Sequence, residues 1–252
     1  STLLMGSSKT ALDTGAEIAG RQGLTCTLKK GSFSQIQGQY DTIILSHKLF
    51  TLDIDPLEVI AKLQGHLKEG GHLVLIESSQ DLENRKMLRL RDALVKKGHA
   101  VQAPCVWKGP CPALEGKFPC YAQREMEKPY LLKELQRKLD INLGSLKMSY
   151  LIIKRLGDVW PQLPQGQEFY RVVSPRFETE EGSVVYLCGT PGKRKLFSRL
   201  AEVPQSAKAF NYLRRGDLIT VEGAAGKNAL QLLEDSEVKV ASACGKPLPE
   251  VR

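Results

Sequence analysis

The chain has 252 residues, and its 42% hydrophobic content is enough for a buried core, which excludes bulk disorder. Its formal net charge is +8, and no run of about 18 apolar residues is present, so we expect neither a membrane span nor a membrane partner. At roughly 150 residues per domain, this length predicts one large domain or one domain with a smaller companion. The chain opens at Ser1 rather than Met, and we interpret it as lacking upstream sequence.

Strands and helices are predicted to alternate through the first hundred residues. Strands are expected at 2–5, 25–28, 40–45 and 72–77, and helices at 9–21, 56–67 and 80–97. Pro56 is expected in the first turn of the second helix, and Gly70-Gly71 is expected to end it. Strands separated by helices predict a parallel sheet that is covered on both faces.

The order of these elements resembles a known fold. The run "YDTIILSHKLF", a helix, Gly-Gly and then "HLVLIE" are similar to the second half of a Rossmann-like, S-adenosylmethionine-dependent methyltransferase. In that fold the last two strands form an antiparallel hairpin, which would be residues 99–103 and 149–154 here. About 45 residues separate them, far more than a turn needs. We therefore predict a partial methyltransferase-like α/β domain over 1–155, with an insertion at about 103–148.

The predicted insertion contains three cysteines, Cys105, Cys111 and Cys120, in a proline-rich stretch. Such a stretch has little helix or strand propensity, and thiolate ligation of a metal or a cluster would hold it in place. The C-x5-C-x8-C spacing matches neither the paired cysteines of zinc ribbons nor the closely spaced run of ferredoxins. Small buried thiols and a redox-active pair are the alternatives.

A four-coordinate site would need one further ligand. Cys188 ends an apolar strand and is followed by Gly189, which suits a ligand presented at a strand end. The other candidates are Cys26, Cys244 and the four histidines. We interpret Cys26 as a core residue and Cys244 as facing solvent.

Four motifs together resemble one family. They are "APC-x5-CP-x7-C" in the insertion, "SYLIIKR" at 149–155, "CGTPG" at 188–192 and "RRGDLITV" at 214–221. They look like the methyltransferase-like assembly proteins of the mitochondrial small ribosomal subunit, which have bacterial relatives, and the similar region covers about residues 1–221. In that family three cysteines of the insertion and one from the C-terminal part bind a 4Fe-4S cluster. The resemblance therefore implies a location in the mitochondrial matrix and a cluster, with zinc ranked second, on Cys105, Cys111, Cys120 and Cys188.

The same resemblance bears on methyltransferase chemistry. Methyltransferases of this fold hold the cofactor with a glycine-rich turn after the first strand and an acidic residue at the end of the second. Here residues 2–5 align with the second strand, so the first strand and its turn would lie upstream, and Gly6 stands at the place of the acid. Gly6 has no side chain to bind ribose, which argues against S-adenosylmethionine as a cofactor. We predict no catalytic residue: His47 is interpreted as a loop histidine, and Glu77 at the sheet edge is a weak sign of a ligand site.

The positive charge lies in the C-terminal two thirds of the chain. Residues 1–84 have a net charge of −3 and residues 85–252 a net charge of +11. A one-sided basic part favours a polyanion partner, and RNA or DNA before a membrane. A charged helix is predicted at 128–139.

A small β-rich domain is predicted over 156–221, followed by a loosely held tail at 222–252. Its β-like runs are 168–175, 183–188 and 195–200, with "FETEEG" as the turn between the first two. Phe197, Phe210 and Tyr212 alternate with basic residues, which suits base stacking and phosphate contact; core aromatics among solvated charges are the alternative. The predicted RNA-binding residues are Lys193, Arg194, Lys195, Arg199, Lys208, Arg214 and Arg215.

Three functions are compatible with this sequence. The favoured one is a non-catalytic, rRNA-binding assembly factor or component of the mitochondrial small ribosomal subunit, stabilised by a 4Fe-4S cluster. Its partners would be small-subunit rRNA and ribosomal proteins or assembly factors. The alternatives are an active S-adenosylmethionine-dependent rRNA methyltransferase and a zinc-binding structural protein of the ribosome.

Overall fold

The computed structural model of the protein describes residues 1–116, 119–141, 144–155, 157–180, 182–190 and 192–244. Within these residues an α/β part is followed by a sheet-rich C-terminal part. The helices are α1 Lys9–Arg21, α2 Pro56–Gln64, α3 Asp81–Lys96 and α4 Tyr130–Leu139. The strands are β1 Thr2–Gly6, β2 Cys26–Lys30, β3 Tyr40–Ser46, β4 Leu67–Ser78, β5 Val101–Ala103, β6 Ala122–Glu125, β7 Ser145–Ile153, β8 Phe169–Val172, β9 Phe177–Thr179, β10 Gly182–Gly189, β11 Gly192–Ser198, β12 Leu218–Glu222, β13 Ala229–Gln231 and β14 Glu237–Ser242.

The α/β part contains a two-stranded and a five-stranded sheet. β1 and β2 pair in parallel, with α1 between them in the chain. The larger sheet has the order β3-β4-β7-β5, with β6 paired to the end of β7. β3 and β4 are parallel, whereas β7 is antiparallel to both β4 and β5. This antiparallel pairing of the last two strands confirms the predicted methyltransferase-like order of elements. No helix in the described ranges is long and apolar enough to cross a membrane.

One core fills the space between the larger sheet and its helices. Its residues are alternate residues of the strands and residues at helical spacing in α2 and α3. The apolar face of the sheet therefore packs against the apolar faces of the two helices. The buried members are Leu49, Val59, Ile60, Leu63, Leu67, Leu73, Leu75, Met87, Leu90, Leu94, Val101, Leu151 and Ile153. We call this cluster the first core.

The predicted end of the second helix was wrong. α2 begins at Pro56 as expected, with Asp55 as its N-cap accepting the backbone N–H of Leu57 at 3.0 Å. It ends at Gln64, and the Gly70-Gly71 pair lies inside β4 instead. A Cβ on Gly71 would stand 3.0 Å from the carbonyl oxygen of Asp41, where the pairing of β3 with β4 shifts register. The glycines thus permit a close approach between strands. In the sequence, a glycine pair with this role looks the same as one that ends a helix.

The C-terminal part is a sheet with the order β13-β11-β10-β8-β12-β14, and β9 pairs with β10. It surrounds a separate cluster of buried residues, which we call the second core. The members are Tyr170, Val172, Val185, Leu187, Leu196, Ala207, Phe210, Leu213, Ile219, Leu230, Leu232 and Val238.

Two sequence predictions for this part are corrected. The "FETEEG" run is not wholly a turn, because Phe177–Thr179 forms β9 and Thr179 pairs with Gly182. The stretch predicted as a loose tail contributes β13 and β14 to the sheet, and Leu232 is fully buried. These strands are short and rich in polar residues, so their pairing partners rather than their own composition stabilise them. Residues 245–252 of the predicted tail lie outside the described residues.

Candidate metal centre and basic surface

Helix α3 organises the segment that carries three cysteines. Its buried face repeats at helical spacing and includes Met87, Leu88 and Leu94, which are apolar. Two polar residues share that face: Asn84 is 0% exposed and Arg91 is 1% exposed. A polar side chain at such a position needs hydrogen-bond partners, because burial without them is costly.

Most partners of these polar residues belong to the segment between β5 and β7 that carries the three cysteines. Asn84 donates from Nδ2 to the carbonyl oxygen of Cys120 at 2.7 Å and to Oγ of Ser149 at 2.7 Å. The Arg91 guanidinium donates to the carbonyl oxygens of Trp107 and Gly109. Helix α3 therefore anchors two points of a segment that has little regular structure of its own.

A third anchor on α3 fixes the middle cysteine. Both carboxylate oxygens of Asp92 lie 3.0 Å from the backbone nitrogen of Cys111 and accept its N–H, and Asp92 also pairs with Arg91 at 2.7 Å. The sequence analysis missed Asn84, Arg91 and Asp92. The signal that could have revealed the first two is a polar residue at an apolar position of a helical pattern.

The fourth predicted ligand comes from the C-terminal sheet. Cys188 lies on β10, opposite Arg171 of β8 and Lys193 of β11 in the strand register. Arg171 donates from Nε to the carbonyl oxygen of Pro104 at 3.0 Å and from Nη1 to that of Gly216 at 2.8 Å. This arginine therefore joins the C-terminal sheet to the residue that precedes Cys105.

The four predicted ligands line one cavity of about 530 Å³, between the first and second cores. Its walls also include Met87 and Arg91 of α3, Tyr150 of β7 and Arg215 before β12. Cys111 is buried, and Cys105, Cys120 and Cys188 are half-buried. In the ranges that the structure describes, no three His, Cys, Asp or Glu side chains are arranged to hold a single metal ion.

A fifth cysteine lines the same cavity. Cys244 is half-buried, and its backbone N–H donates to Asp217 at 2.7 Å. The expectation that it faces solvent was wrong, because β14 brings the residues that follow it back to the cavity wall. Cys26, by contrast, is half-buried in β2 and does not line the cavity.

Burial controls the protonation of the four thiols. Desolvation raises the pKa of Cys105, Cys111 and Cys188, and it raises the pKa of Cys120 to about 12. Neighbouring thiols add to this rise at Cys120 and Cys188, since several thiolates would repel one another. Without a bound cation the thiols are therefore protonated at neutral pH, and ligation would release their protons.

The structure separates the seven predicted RNA-binding residues into two groups. Arg199, Lys208 and Arg214 are exposed. Arg194 is bonded internally, because Nη1 donates to the hydroxyl of Tyr170 at 2.9 Å. Lys193, Lys195 and Arg215 are half-buried, and each cation lies over an aromatic ring. Nζ of Lys193 is 4.4 Å from the ring centroid of Tyr186, and Nζ of Lys195 is 4.8 Å from that of Phe197. Cζ of Arg215 is 4.3 Å from the ring centroid of Tyr121.

The aromatic residues predicted to stack on bases divide in the same way. Phe210 is fully buried in the second core and Phe197 is 7% exposed, so the prediction was wrong for both. Their burial closes the core beneath the sheet, which removes the ring faces from solvent. Tyr212 is 71% exposed and lies between Lys208 and Arg214 in the chain.

The positions relevant to methyltransferase chemistry have structural partners. Gly6 ends β1, and its carbonyl oxygen accepts the N–H of Gly31 at 2.9 Å. Glu77 is 4% exposed, and its carboxylate accepts the backbone N–H of Leu49 at 2.9 Å. Glu77 therefore anchors the turn that follows β3. His47 is an exposed residue of that turn.

Together these features define a methyltransferase-like α/β protein whose C-terminal sheet closes a cysteine-lined cavity. The sequence then identifies the family: the family model described as "Mitochondrial small ribosomal subunit Rsm22" matches residues 2–214. The chain belongs to this family, whose description agrees with the predicted mitochondrial location. A comparison with curated protein sequences finds no significant match.

Several solved structures are similar to part of the chain. TehB from Haemophilus influenzae is 12% identical, with a TM-score of 0.36, over 61% of this chain and 49% of that chain. An rRNA methylase from Streptococcus thermophilus is 12% identical, with a TM-score of 0.35, over 61% of this chain and 72% of that chain. A protein from Thermoplasma acidophilum is 13% identical, with a TM-score of 0.36, over 63% of this chain and 68% of that chain. The chain thus spans about half the length of TehB.

Proposed function

We propose that this protein is an assembly factor or component of the mitochondrial small ribosomal subunit that binds rRNA without transferring a methyl group. In this proposal a 4Fe-4S cluster joins the methyltransferase-like part to the C-terminal sheet. Membership of the Rsm22 family supports the ribosomal assignment. Small-subunit rRNA and proteins of that subunit are the proposed partners.

The observation that most supports the cluster is the convergence of four cysteines on one cavity. Cys105, Cys111 and Cys120 come from the segment between β5 and β7, and Cys188 comes from β10. Four thiolates are a complete ligand set for a 4Fe-4S cluster. When bound, the cluster would supply four iron–thiolate links and a one-electron redox centre.

The size of the cavity favours a cluster over zinc. A structural zinc site draws its thiolates to about 2.3 Å from a single ion, which leaves no free volume between them. The cavity that these cysteines help to line measures about 530 Å³, and its walls include the buried or half-buried cations Arg91, Arg171 and Arg215. An anionic group larger than one ion fits both its volume and its charge.

The proposal that the protein binds RNA rests on exposed basic residues of the C-terminal part. Arg199, Lys208 and Arg214 are exposed basic residues, and Tyr212 offers an exposed ring between the last two. Phosphate contacts from such residues, with stacking on an aromatic ring, are a common way to bind single-stranded RNA. We assign RNA contact to these four residues rather than to the internally bonded Arg194.

The metal content of the full chain tests the cluster. After anaerobic preparation we expect about four irons and four sulfides per chain and a broad visible absorption. Cys111→Ser is expected to lose the cluster and with it the packing of residues 103–124, because their other anchors are single hydrogen bonds to α3 and Arg171 and the short pairing of β6 with β7. Cys26→Ser is the matched control and is expected to keep full iron, since Cys26 lies outside the cavity. A content of one zinc and no iron per chain would indicate a closed zinc site in place of the cluster. A chain without any metal would contradict both assignments.

Methyl transfer is tested separately with labelled S-adenosylmethionine and small-subunit rRNA. We expect no incorporation of label, because Gly6 offers no carboxylate for ribose and Glu77 is already bonded to Leu49. Incorporation above that of a heat-denatured sample would contradict the non-catalytic assignment and favour an active rRNA methyltransferase.

A further inference from the structure

Two arginines, one buried and one half-buried, border the cysteine cavity from different elements. Arg91 belongs to α3 and is 1% exposed, and Arg215 lies in the turn before β12 and is half-buried. Both side chains line the cavity together with the four cysteines. The two arginines are far apart in the chain, so tertiary structure alone brings them to this wall.

Each arginine has one buried donor without a partner. The terminal nitrogens of Arg91 bond to Asp92, Trp107 and Gly109, but its Nε has no hydrogen-bond partner among the described residues. Nη1 of Arg215 lies 3.4 Å from the carbonyl oxygen of Tyr121, and its Nε is likewise buried without a partner in that part of the chain. A buried donor without a hydrogen-bond partner is unfavourable, and more so when the group is charged.

The charges around the cavity are also unbalanced. Asp92 neutralises Arg91 through an ion pair of 2.7 Å. Arg215 has no carboxylate within ion-pair distance in the described ranges, and Arg171 is bonded to two carbonyl oxygens. Buried cations without counter-ions are unfavourable, so the cavity wall suits an anion.

We infer that Arg91 and Arg215 donate their Nε–H groups to the anionic group that the four thiolates hold, and that Arg215 raises its reduction potential. This inference rests on the proposed 4Fe-4S cluster. An oxidised cluster of core charge 2+ carries a net charge of −2 with four thiolates, and one added electron makes it −3. A nearby cation stabilises the more negative state, and hydrogen bonds to the cluster and its net charge are known determinants of potential.

The test compares Arg215→Met with Arg215→Lys in the full chain carrying its cluster. Dithionite supplies the electron, no ligand leaves, and electron paramagnetic resonance follows the reduced fraction at each potential. For Arg215→Met we expect the equilibrium constant for reduction to fall about tenfold, which is a shift of about 59 mV to more negative potential for a one-electron couple. Arg215→Lys retains the charge and is expected to keep most of the wild-type potential.

Arg194→Met is the matched control. Arg194 also has a buried Nε without a partner among the described residues, but it alternates with Lys193 on β11 and does not line the cavity. We expect the reduction potential of the cluster in Arg194→Met to equal that of the wild type. An equal shift in Arg194→Met and Arg215→Met, or none in Arg215→Met, would overturn the inference.

Cluster content separates the remaining outcomes. If Arg215→Met lacks iron while Arg215→Lys holds it, the positive charge is required for the site and the inference stands. If both variants lack iron although circular dichroism shows a folded chain, the inference that the positive charge of Arg215 stabilises the cluster is wrong. A wild-type protein without iron and sulfide would instead contradict the proposed function itself.

Discussion

Cys188→Ser is expected to release the proposed 4Fe-4S cluster and to let the two cores of the protein unfold separately. Cys188 is the one proposed ligand that belongs to the C-terminal sheet, so its loss would remove the proposed link through the cluster between the first and second cores. Binding free energy of a structural metal site is folding free energy, about 10 kcal/mol or more for zinc sites. The expected loss therefore exceeds that of an ordinary large-to-small core substitution, about 2–5 kcal/mol.

Chemical denaturation of the full chain would measure this effect. Circular dichroism reports both cores, whereas tryptophan fluorescence reports Trp160, which packs against the first core, and Trp107, which lines the cavity. The wild type with its cluster is expected to unfold in one transition by both probes, and Cys188→Ser in two. Cys26→Ser is the control for removing a half-buried thiol and is expected to behave as the wild type. Full iron content and a single transition in Cys188→Ser would contradict the ligand assignment.

The combined change of Arg199, Lys208 and Arg214 to Glu is expected to weaken binding to small-subunit rRNA at least tenfold. Each phosphate contact to a single strand contributes about 0.7 to the slope of log affinity against log salt concentration. Removal of three contacts should therefore lower the magnitude of that slope by about 2. A filter-binding or anisotropy titration with transcribed small-subunit rRNA, repeated over a series of salt concentrations, gives both quantities.

The matched control is a triple variant with the same change in net charge on the surface of the α/β part. Lys9, Lys30 and Lys97 are exposed basic residues of the α/β part, and their combined change to Glu should leave the slope almost unchanged. If both triple variants weaken binding equally, the interaction is with total charge and not with this surface. If neither does, the assignment of RNA contact to the C-terminal part is wrong.

The α/β part follows closely from local sequence. Apolar runs such as Tyr40–Ser46 and the helical spacing of Asp81–Lys96 predict their elements. The helix buries one face, and the strand packs the partly buried Ile43 and Leu45 against the first core. The same reasoning failed at Gly70-Gly71, since a glycine pair permits either a helix end or a strand irregularity. It also failed for Glu237–Ser242, a polar strand whose stability comes from pairing with β12.

The sequence predicts the proposed ligands of the candidate site but not the residues that surround them. Three closely spaced cysteines and Cys188 at a strand end are local patterns, and the family resemblance assigned their role. Arg215 lies far in sequence from Cys105, Cys111 and Cys120, so no spacing relates it to them. Asn84 and Arg91 are marked only as polar residues at apolar positions of α3, which does not reveal what they bond to. Their functions depend on burial and on bonds to backbone atoms, neither of which a residue type specifies.

By itself, the sequence of this protein determined the order of the main strands and helices of the α/β part, its family and its concentration of positive charge. Those properties are local or additive, because each depends on nearby side chains or on a sum over residues. Only the tertiary structure decided which basic residues are exposed, since Arg199 and Arg194 are close in the chain but differ in burial. It also decided that two separate cores meet at one cysteine-lined cavity, because long-range pairing of strands sets where distant residues converge.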